Sequence, residues 1–352
     1  MLFENLLDII LGFLVAYYAL VVLSLIVGIR RLKHSSFQGK PFVSVIVAAR
    51  NEEIHIKDLL DCLVRQDYPE YEIIVVNDRS SDDTVAIIDK YQRQHATVHR
   101  IDITSPSQDM PSKKYALAQG IAGSKGDILM FTDADCLPPS SWIESLVQGF
   151  EKNVGLVAGY SPYILQHHSK ALKRSLFSSM FDKFVQYEEF KGATWSAGSI
   201  GLNRGWLCTG RSLAYRRSVY DGVGGFERIK DSVSGDDDLF LQLVRRTTSW
   251  QIRYVTSPAS YVPTYFPDSF REFVQQRTRH FSAGKYFSFP MKMSFFIYHL
   301  ANLFILLSLV SALVGGLSTI TFWPYLIKCV MDCMLFFTAA TELNETRFGL
   351  LF

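Results

Sequence analysis

The stretch ILMFTDADC, residues 128–136, decides how the chain is read. Four apolar residues with the look of a buried strand run straight into Asp133 and Asp135, two carboxylates one residue apart. Carboxylates that close repel each other, so the pattern calls for a cation beside them. It also calls for neighbours, because a buried strand of this kind belongs to a sheet covered by helices. Apolar runs and helical patterns do alternate upstream. FVSVIVAA (42–49) reads as a strand, and residues 53–66 then carry Ile54, Ile56, Leu59, Leu60 and Leu63 at mostly helical spacing. YEIIVVND (71–78) is the next strand, and SSDDT (80–84) offers caps for a helix through about residue 93. A short strand over Val98–Ile103 and a helix over 114–122 complete the set. This order predicts an α/β domain with a mainly parallel sheet. Sites in such sheets lie at the carboxyl ends of strands, where Asp78, Asp133 and Asp135 all fall.

The chain has 352 residues, enough for one large or two ordinary domains. Its net charge of +2 gives no global basic field, which argues against nucleic acid as a partner. Hydrophobic residues make up 48%, with 26 Phe and 17 Tyr, which points to partial membrane embedding. Cys62, Cys136, Cys208, Cys329 and Cys333 form no CxxC pair and no disulfide framework, which suits a reducing compartment. Residues 9–29 run without a charge, enough to cross ~30 Å of hydrocarbon at ~1.5 Å per residue. A signal peptide fits worse: no basic region precedes the run and no small-residue cleavage site succeeds it. Glu4 and Asp8 come before it and Arg30, Arg31, Lys33 and His34 after it, so the positive-inside rule places the chain beyond residue 30 in the cytosol. A second span starts near Phe295. A third over 320–340 carries Lys328 and Asp332, which can pair across one helical turn; an interfacial or re-entrant segment is the alternative. The expected layout is an anchor at 1–30, a cytosolic domain at 40–266, an amphipathic segment at 267–290 and two spans within 295–341.

Seven pieces, in order over residues 42–282, carry a family resemblance: VSVIVAARNEE, VVNDRSSDDT, KKYALAQGI, FTDADC, TGRSLAYRRSVYDGVGGF, SGDDDLFLQ and QRTRH. The chain resembles the family 2 glycosyltransferases, membrane-anchored enzymes of GT-A fold that include cellulose, hyaluronan and chitin synthases and many single-sugar transferases. The resemblance implies a GT-A domain, a nucleotide-sugar donor, Mg²⁺ or Mn²⁺, and a lipid-linked or polysaccharide acceptor at a bacterial-type inner membrane. FTDADC then matches the DXD motif, with Asp135 on the metal and Asp133 on the ribose or supporting the site. By the same likeness Asp78 accepts the N3–H of a uracil ring, with Ala48, Arg50 and Glu52 forming the rest of the nucleotide wall. A carboxylate also suits guanine, so uridine is favoured without being fixed. Lys113 matches the lysine near the diphosphate, with Lys114 as the adjacent competitor.

Inverting transfer needs a carboxylate to take the acceptor's proton. Where the family reads Glu-Asp, this chain has Gly235 followed by three aspartates. One alignment makes Asp236 the base and another Asp237; Asp236 is preferred. QRTRH resembles the family's QxxRW with His280 in place of the tryptophan, which leaves Gln276 and Arg279 to meet diphosphate or acceptor. Loss of the tryptophan argues against the nearest alternative, a processive polysaccharide synthase. An inactive sugar-nucleotide-binding subunit of an envelope-polysaccharide complex is the other alternative. The segment around QRTRH mixes aromatic and basic residues, as an interfacial helix would. Gly210–Phe226 resembles the acceptor-side segment, and Trp195 and Trp206 either stack on a sugar or fill the core. His167 and His168 read as a loop. Asn344-Glu345-Thr346 matches a glycosylation sequon that the expected cytosolic side argues against.

Overall fold

The computed structural model describes residues 2–33, 36–164, 176–267, 269–315 and 319–345. His34, His167, His168 and Thr346 lie outside the described residues, and with them the histidine pair and the sequon. The chain opens with α1 (Leu2–Arg30), then alternates β1 (Val43–Ala49), α2 (Ile56–Leu63), β2 (Tyr71–Asp78), α3 (Thr84–Gln94), β3 (Val98–Ile103), α4 (Ser112–Ala122) and β4 (Ile128–Phe131). After α5 (Trp142–Val147), β5 (Val154–Ala158) and β6 (Tyr163–Ile164) comes α6 (Leu176–Gly201), then β7 (Leu213–Arg216), α7 (Arg217–Val223) and α8 (Asp238–Thr247). The chain continues through β8 (Gln251–Tyr254), β9 (Thr264–Tyr265), α9 (Phe270–Ser282), α10 (Phe289–Gly315) and α11 (Thr319–Glu342).

Seven strands form one sheet in the order β3-β2-β1-β4-β7-β5-β8, and β6 pairs with β9 beside it. β3, β2, β1 and β4 run parallel, while β7 lies antiparallel to both β4 and β5. The sheet is thus mixed and mostly parallel, as its alternating sequence predicts. In β1, Val43, Val45 and Val47 face α2, α3 and α5, whereas Ile46 faces the layer of α4, α6 and α8. Both faces are therefore buried, each large aliphatic side chain contributing ~1.5–3 kcal/mol on leaving water. That explains why these strands read as continuous apolar runs.

Three helical segments among the described residues, Asp8–Arg30, Phe289–Ser311 and Phe322–Glu342, are long and apolar enough to cross a membrane. α1 packs against α6, α10 and α11. At its crossing with α6, Gly28 meets Gly198 and Gly201 so closely that a Cβ on Gly201 would sit 1.9 Å from the Gly28 carbonyl oxygen. Lys328 and Asp332 do pair, at 2.8 Å, and the hydroxyl of Tyr18 on α1 joins both. The polar cluster therefore packs against another helix, which is how a charged pair can be accommodated in an apolar segment.

Of the two readings of Trp195 and Trp206, the structure shows the core: their rings lie 5.8 Å apart, and Trp195 packs 5.4 Å from Phe295 and 4.9 Å from Tyr298. They fill the junction between α6 and α10. One expectation needs correction. The helix after β1 is shorter than residues 53–66 suggested, because Glu52 to His55 form a turn tied to the next loop through Thr84 Oγ1.

Candidate active site

The carboxyl ends of β2, β1 and β4 lie side by side, so Asp78 and Asp133 stand two strands apart, roughly 10 Å at the usual strand spacing. On the β2 side Asp78 is buried, and its carboxylate receives Arg79 Nε at 2.8 Å and lies 3.8 Å from Arg50. Arg79 achieves this with a left-handed backbone, φ 58°, which turns its side chain back over Asp78. Asn51, φ 56°, caps the loop opposite: its side-chain oxygen accepts the Ser81 N–H at 2.9 Å, and its own N–H donates to Ser80 Oγ at 3.0 Å. Ala48 lies at the end of β1, half-buried, and the Glu52 carboxylate stands 3.6 Å from His55 Nδ1.

On the β4 side, Lys113 of α4 reaches into the cleft with Nζ 2.8 Å from Asp133 and 3.5 Å from Asp236. The protein around the cleft disfavours its charge, but Asp133, then Asp236, outweigh that and raise its pKa. Asp133 is affected in the opposite sense: burial works against its carboxylate, and Lys113 overrides it to lower the pKa. Lys113 rather than Lys114 therefore occupies the site. Lys114 is fully buried, and its ammonium donates to the carbonyls of Ile229, Ser232 and Ser234 at 2.7, 2.5 and 2.9 Å. All three donors of the ammonium are used in holding the loop that leads to Asp236.

The three consecutive aspartates have different surroundings. Asp237 caps α8: one oxygen accepts the Asp238 N–H at 2.6 Å and the other the Gly210 N–H at 3.1 Å. Burial, then the charge of Asp236, pushes its pKa up to about 6. Asp238 accepts the Cys208 N–H at 2.6 Å, and burial followed by Asp237 raises its pKa too. Asp236 has its carboxylate toward Lys113, where it lines a small cavity with Asp133, Gly210 and Tyr215. The Tyr215 hydroxyl is buried with no hydrogen-bond partner among the described residues. Gly235 has φ +90°, and a Cβ there would lie 2.6 Å from the Leu239 side chain, so any larger residue at this position is strained.

Among the described residues, no three His, Cys, Asp or Glu side chains converge on one point. Asp135 is half-buried, with the Cys136 thiol 3.7 Å from one carboxylate oxygen. One or two carboxylates at a strand end fit a hard divalent ion that draws its remaining ligands from substrate phosphates. The QRTRH residues are only partly directed at this cleft. Gln276 accepts a hydrogen bond from the Tyr163 hydroxyl at 3.0 Å, and the Arg279 carbonyl accepts one from Ser234 at 2.8 Å. His280 is exposed on α9. Sequence reasoning missed Glu189, Arg211 and Arg277, which form a buried ion-pair cluster beside the cleft.

The model of the family described as Glycosyl transferase family 2 matches residues 44–221, half of the chain, and the chain belongs to that family. The chain is 27% identical over 266 residues to the probable glycosyltransferase YdaM of Bacillus subtilis, covering 73% of this chain and 58% of that protein. It is 27% identical over 222 residues to a beta-monoglucosyldiacylglycerol synthase of Trichormus variabilis, covering 62% of this chain and 44% of that protein. It thus spans about half the length of these relatives. Among solved structures, it resembles the mannosyltransferase PcManGT from Pyrobaculum calidifontis in complex with GDP-Man and Mn²⁺. The TM-score is 0.59 at 18% identity, over 97% of this chain and 99% of that one, a likeness of fold.

Proposed function

We propose that the chain is an inverting, membrane-bound glycosyltransferase that moves one sugar from a UDP-sugar to a hydroxyl of a lipid-linked or glycan acceptor. The observation that carries this reading is Lys113 set between Asp133 and Asp236 at the end of β4. Asp78, Ala48, Arg50 and Glu52 form the nucleoside end of the cleft, with Asp78 accepting the base N–H once Arg79 and Arg50 shift aside. Lys113 lies beside the donor's diphosphate, and Asp133 with it. Asp135 holds Mg²⁺ or Mn²⁺, which when bound offsets the diphosphate charge and stabilises the leaving nucleotide.

Asp236 accepts the acceptor's proton as the hydroxyl oxygen forms its bond to the anomeric carbon, and the bond from that carbon to the diphosphate breaks on the opposite side. Asp237 has both oxygens engaged by backbone N–H groups and serves the loop instead. Gln276, Arg279 and His280 border the acceptor entrance. α9 supports a position at the bilayer surface: Phe270, Val274 and Phe281 are exposed along it, next to the membrane-length helices. Arg30 and Arg31 at the end of α1 favour a cytosolic catalytic domain.

A thermal-shift series in detergent with UDP, GDP, TDP and CMP, each with and without Mn²⁺, tests the donor site, because a ligand bound only by the folded state raises its stability. The expected result is Mn²⁺-dependent stabilisation by UDP that disappears in Asp135→Ala. No metal-dependent shift with any nucleotide, on protein shown to be folded, would overturn the reading.

A further inference from the structure

α6 carries a buried carboxylate, Glu189, in a helix that touches α1 at one end and approaches α9 at the other. One Glu189 oxygen pairs with the guanidinium of Arg211, and the other lies 3.3 Å from Nη2 of Arg277. Arg211 sits in the short turn Gly210–Ser212, whose first N–H holds Asp237. Its guanidinium also lies 5.2 Å from the centre of the Tyr163 ring, and the Tyr163 hydroxyl donates to Gln276 of α9. Arg277 belongs to α9 and stacks 5.1 Å from its own helix's Phe273. The far end of α9 is tied to the loop before Asp236, where Ser234 Oγ donates to the Arg279 carbonyl and lies 3.1 Å from Ser282 Oγ. One carboxylate on α6 thus joins the Gly210 turn and α9, which are far apart in sequence and which both connect to the loop carrying Asp236.

Stability alone does not explain the arrangement. Removing these charges from water opposes folding, and an apolar contact of similar volume would hold the helices as well. A carboxylate shared by two planar guanidiniums adds direction instead, because each pair is satisfied in a narrow range of geometry. We infer that Glu189 is a positioning residue that fixes α9 and the Gly210 turn relative to Asp236, so that an acceptor entering along α9 meets the base in line. This rests on the proposed role of Asp236 and on α9 bordering the acceptor entrance.

The test uses the full chain in detergent and the variants Glu189→Gln, Glu189→Asp and Arg277→Met. In Glu189→Gln, amide hydrogen exchange over α9 rises roughly tenfold or more while β1 and β2 keep wild-type protection. Mn²⁺-dependent UDP binding stays at wild-type affinity. Glu189→Asp, which keeps the charge on a shorter stem, restores part of the α9 protection. Adding Arg277→Met to Glu189→Gln loosens α9 by less than the sum of the two single changes, as expected for partners in one network. Unchanged α9 exchange in Glu189→Gln overturns the inference. So does exchange that rises evenly over the whole domain with loss of UDP binding, which marks general destabilisation. Failure of wild-type protein to bind UDP refutes the donor reading and leaves the α9 exchange result to be judged separately.

Discussion

Replacing Lys114 by Met tests quantitatively how the base loop is held. The side chain is fully buried, and its ammonium meets three carbonyls of residues 229–234 at 2.5–2.9 Å. A hydrogen bond to a charged group contributes ~1.5–3 kcal/mol, so the three together amount to roughly 5–9 kcal/mol before offsets. Two effects reduce that figure. Met avoids the desolvation of an ammonium, which lowers the Lys114 pKa here, and the loop can relax to bring its carbonyls to water. A net loss of about 2–4 kcal/mol remains, which at ~2–4 °C per kcal/mol for a domain of this size lowers Tm by roughly 5–15 °C. Transfer should fall more than donor binding, since the loop leads to Asp236 whereas the nucleoside end stands on β1 and β2. Differential scanning fluorimetry in detergent, run alongside Mn²⁺-dependent UDP binding and UDP release from a UDP-sugar, reads all three. A variant that melts within a degree or two of wild type and releases UDP at the normal rate would refute this picture of the loop.

Three further outcomes are expected around the same loop. Gly235→Ala forces a side chain into φ +90° against Leu239 and should lower stability by about 1–3 kcal/mol, read as a lower Tm; no change would mean the loop adopts another backbone. Tyr215→Phe removes a buried hydroxyl that has no partner among the described residues, so the ligand-free protein should keep its Tm or gain up to ~1 kcal/mol, and a clear loss would reveal a hidden hydrogen bond. Because the Asp237 carboxyl is raised to about 6, above its unfolded value of ~4, its ionisation opposes folding. In EDTA, the Tm of wild type relative to Asp237→Asn should therefore decline as pH rises from about 4 to about 6 and level off above; a change in the opposite direction contradicts the assignment.

The parallel half of the fold was legible because β1, β2 and β4 are buried on both faces, so their sequences are apolar runs interrupted only by the buried, mutually hydrogen-bonded Ser44 and Glu72 before their polar ends. The candidate site was legible for a related reason: a parallel sheet directs its strand ends to one edge, and Asp78 and Asp133 lie at that edge. α6 was not legible. Its sequence is apolar at Met180 and Phe184, which are exposed, and also at Phe190 and Ala197, which are buried, so no single helical face stands out. Small residues at Gly198 and Gly201, which weaken a helix prediction, are there because α1 approaches within backbone contact. The choice between Lys113 and Lys114 turned on which side of α4 faces the cleft. The family resemblance favoured Lys113, but only the fold shows that the Lys114 ammonium is fully occupied by carbonyls. Glu189 had no local signature, since its partners are 22 and 88 residues away.

A single cleft is proposed to bind the donor through Asp135 and a metal and to perform transfer through Asp236. Its most direct test is UDP release from a panel of UDP-sugars by the full chain reconstituted with membrane lipid extract and Mn²⁺, compared across wild type, Asp236→Asn and Asp135→Ala. Asp236→Asn is expected to keep Mn²⁺-dependent UDP binding and to lose lipid-stimulated release by roughly 10²–10⁴-fold, the usual contribution of a general base, whereas Asp135→Ala loses both. Release at the wild-type rate by Asp236→Asn, or Mn²⁺-dependent UDP binding that survives in Asp135→Ala, would contradict it.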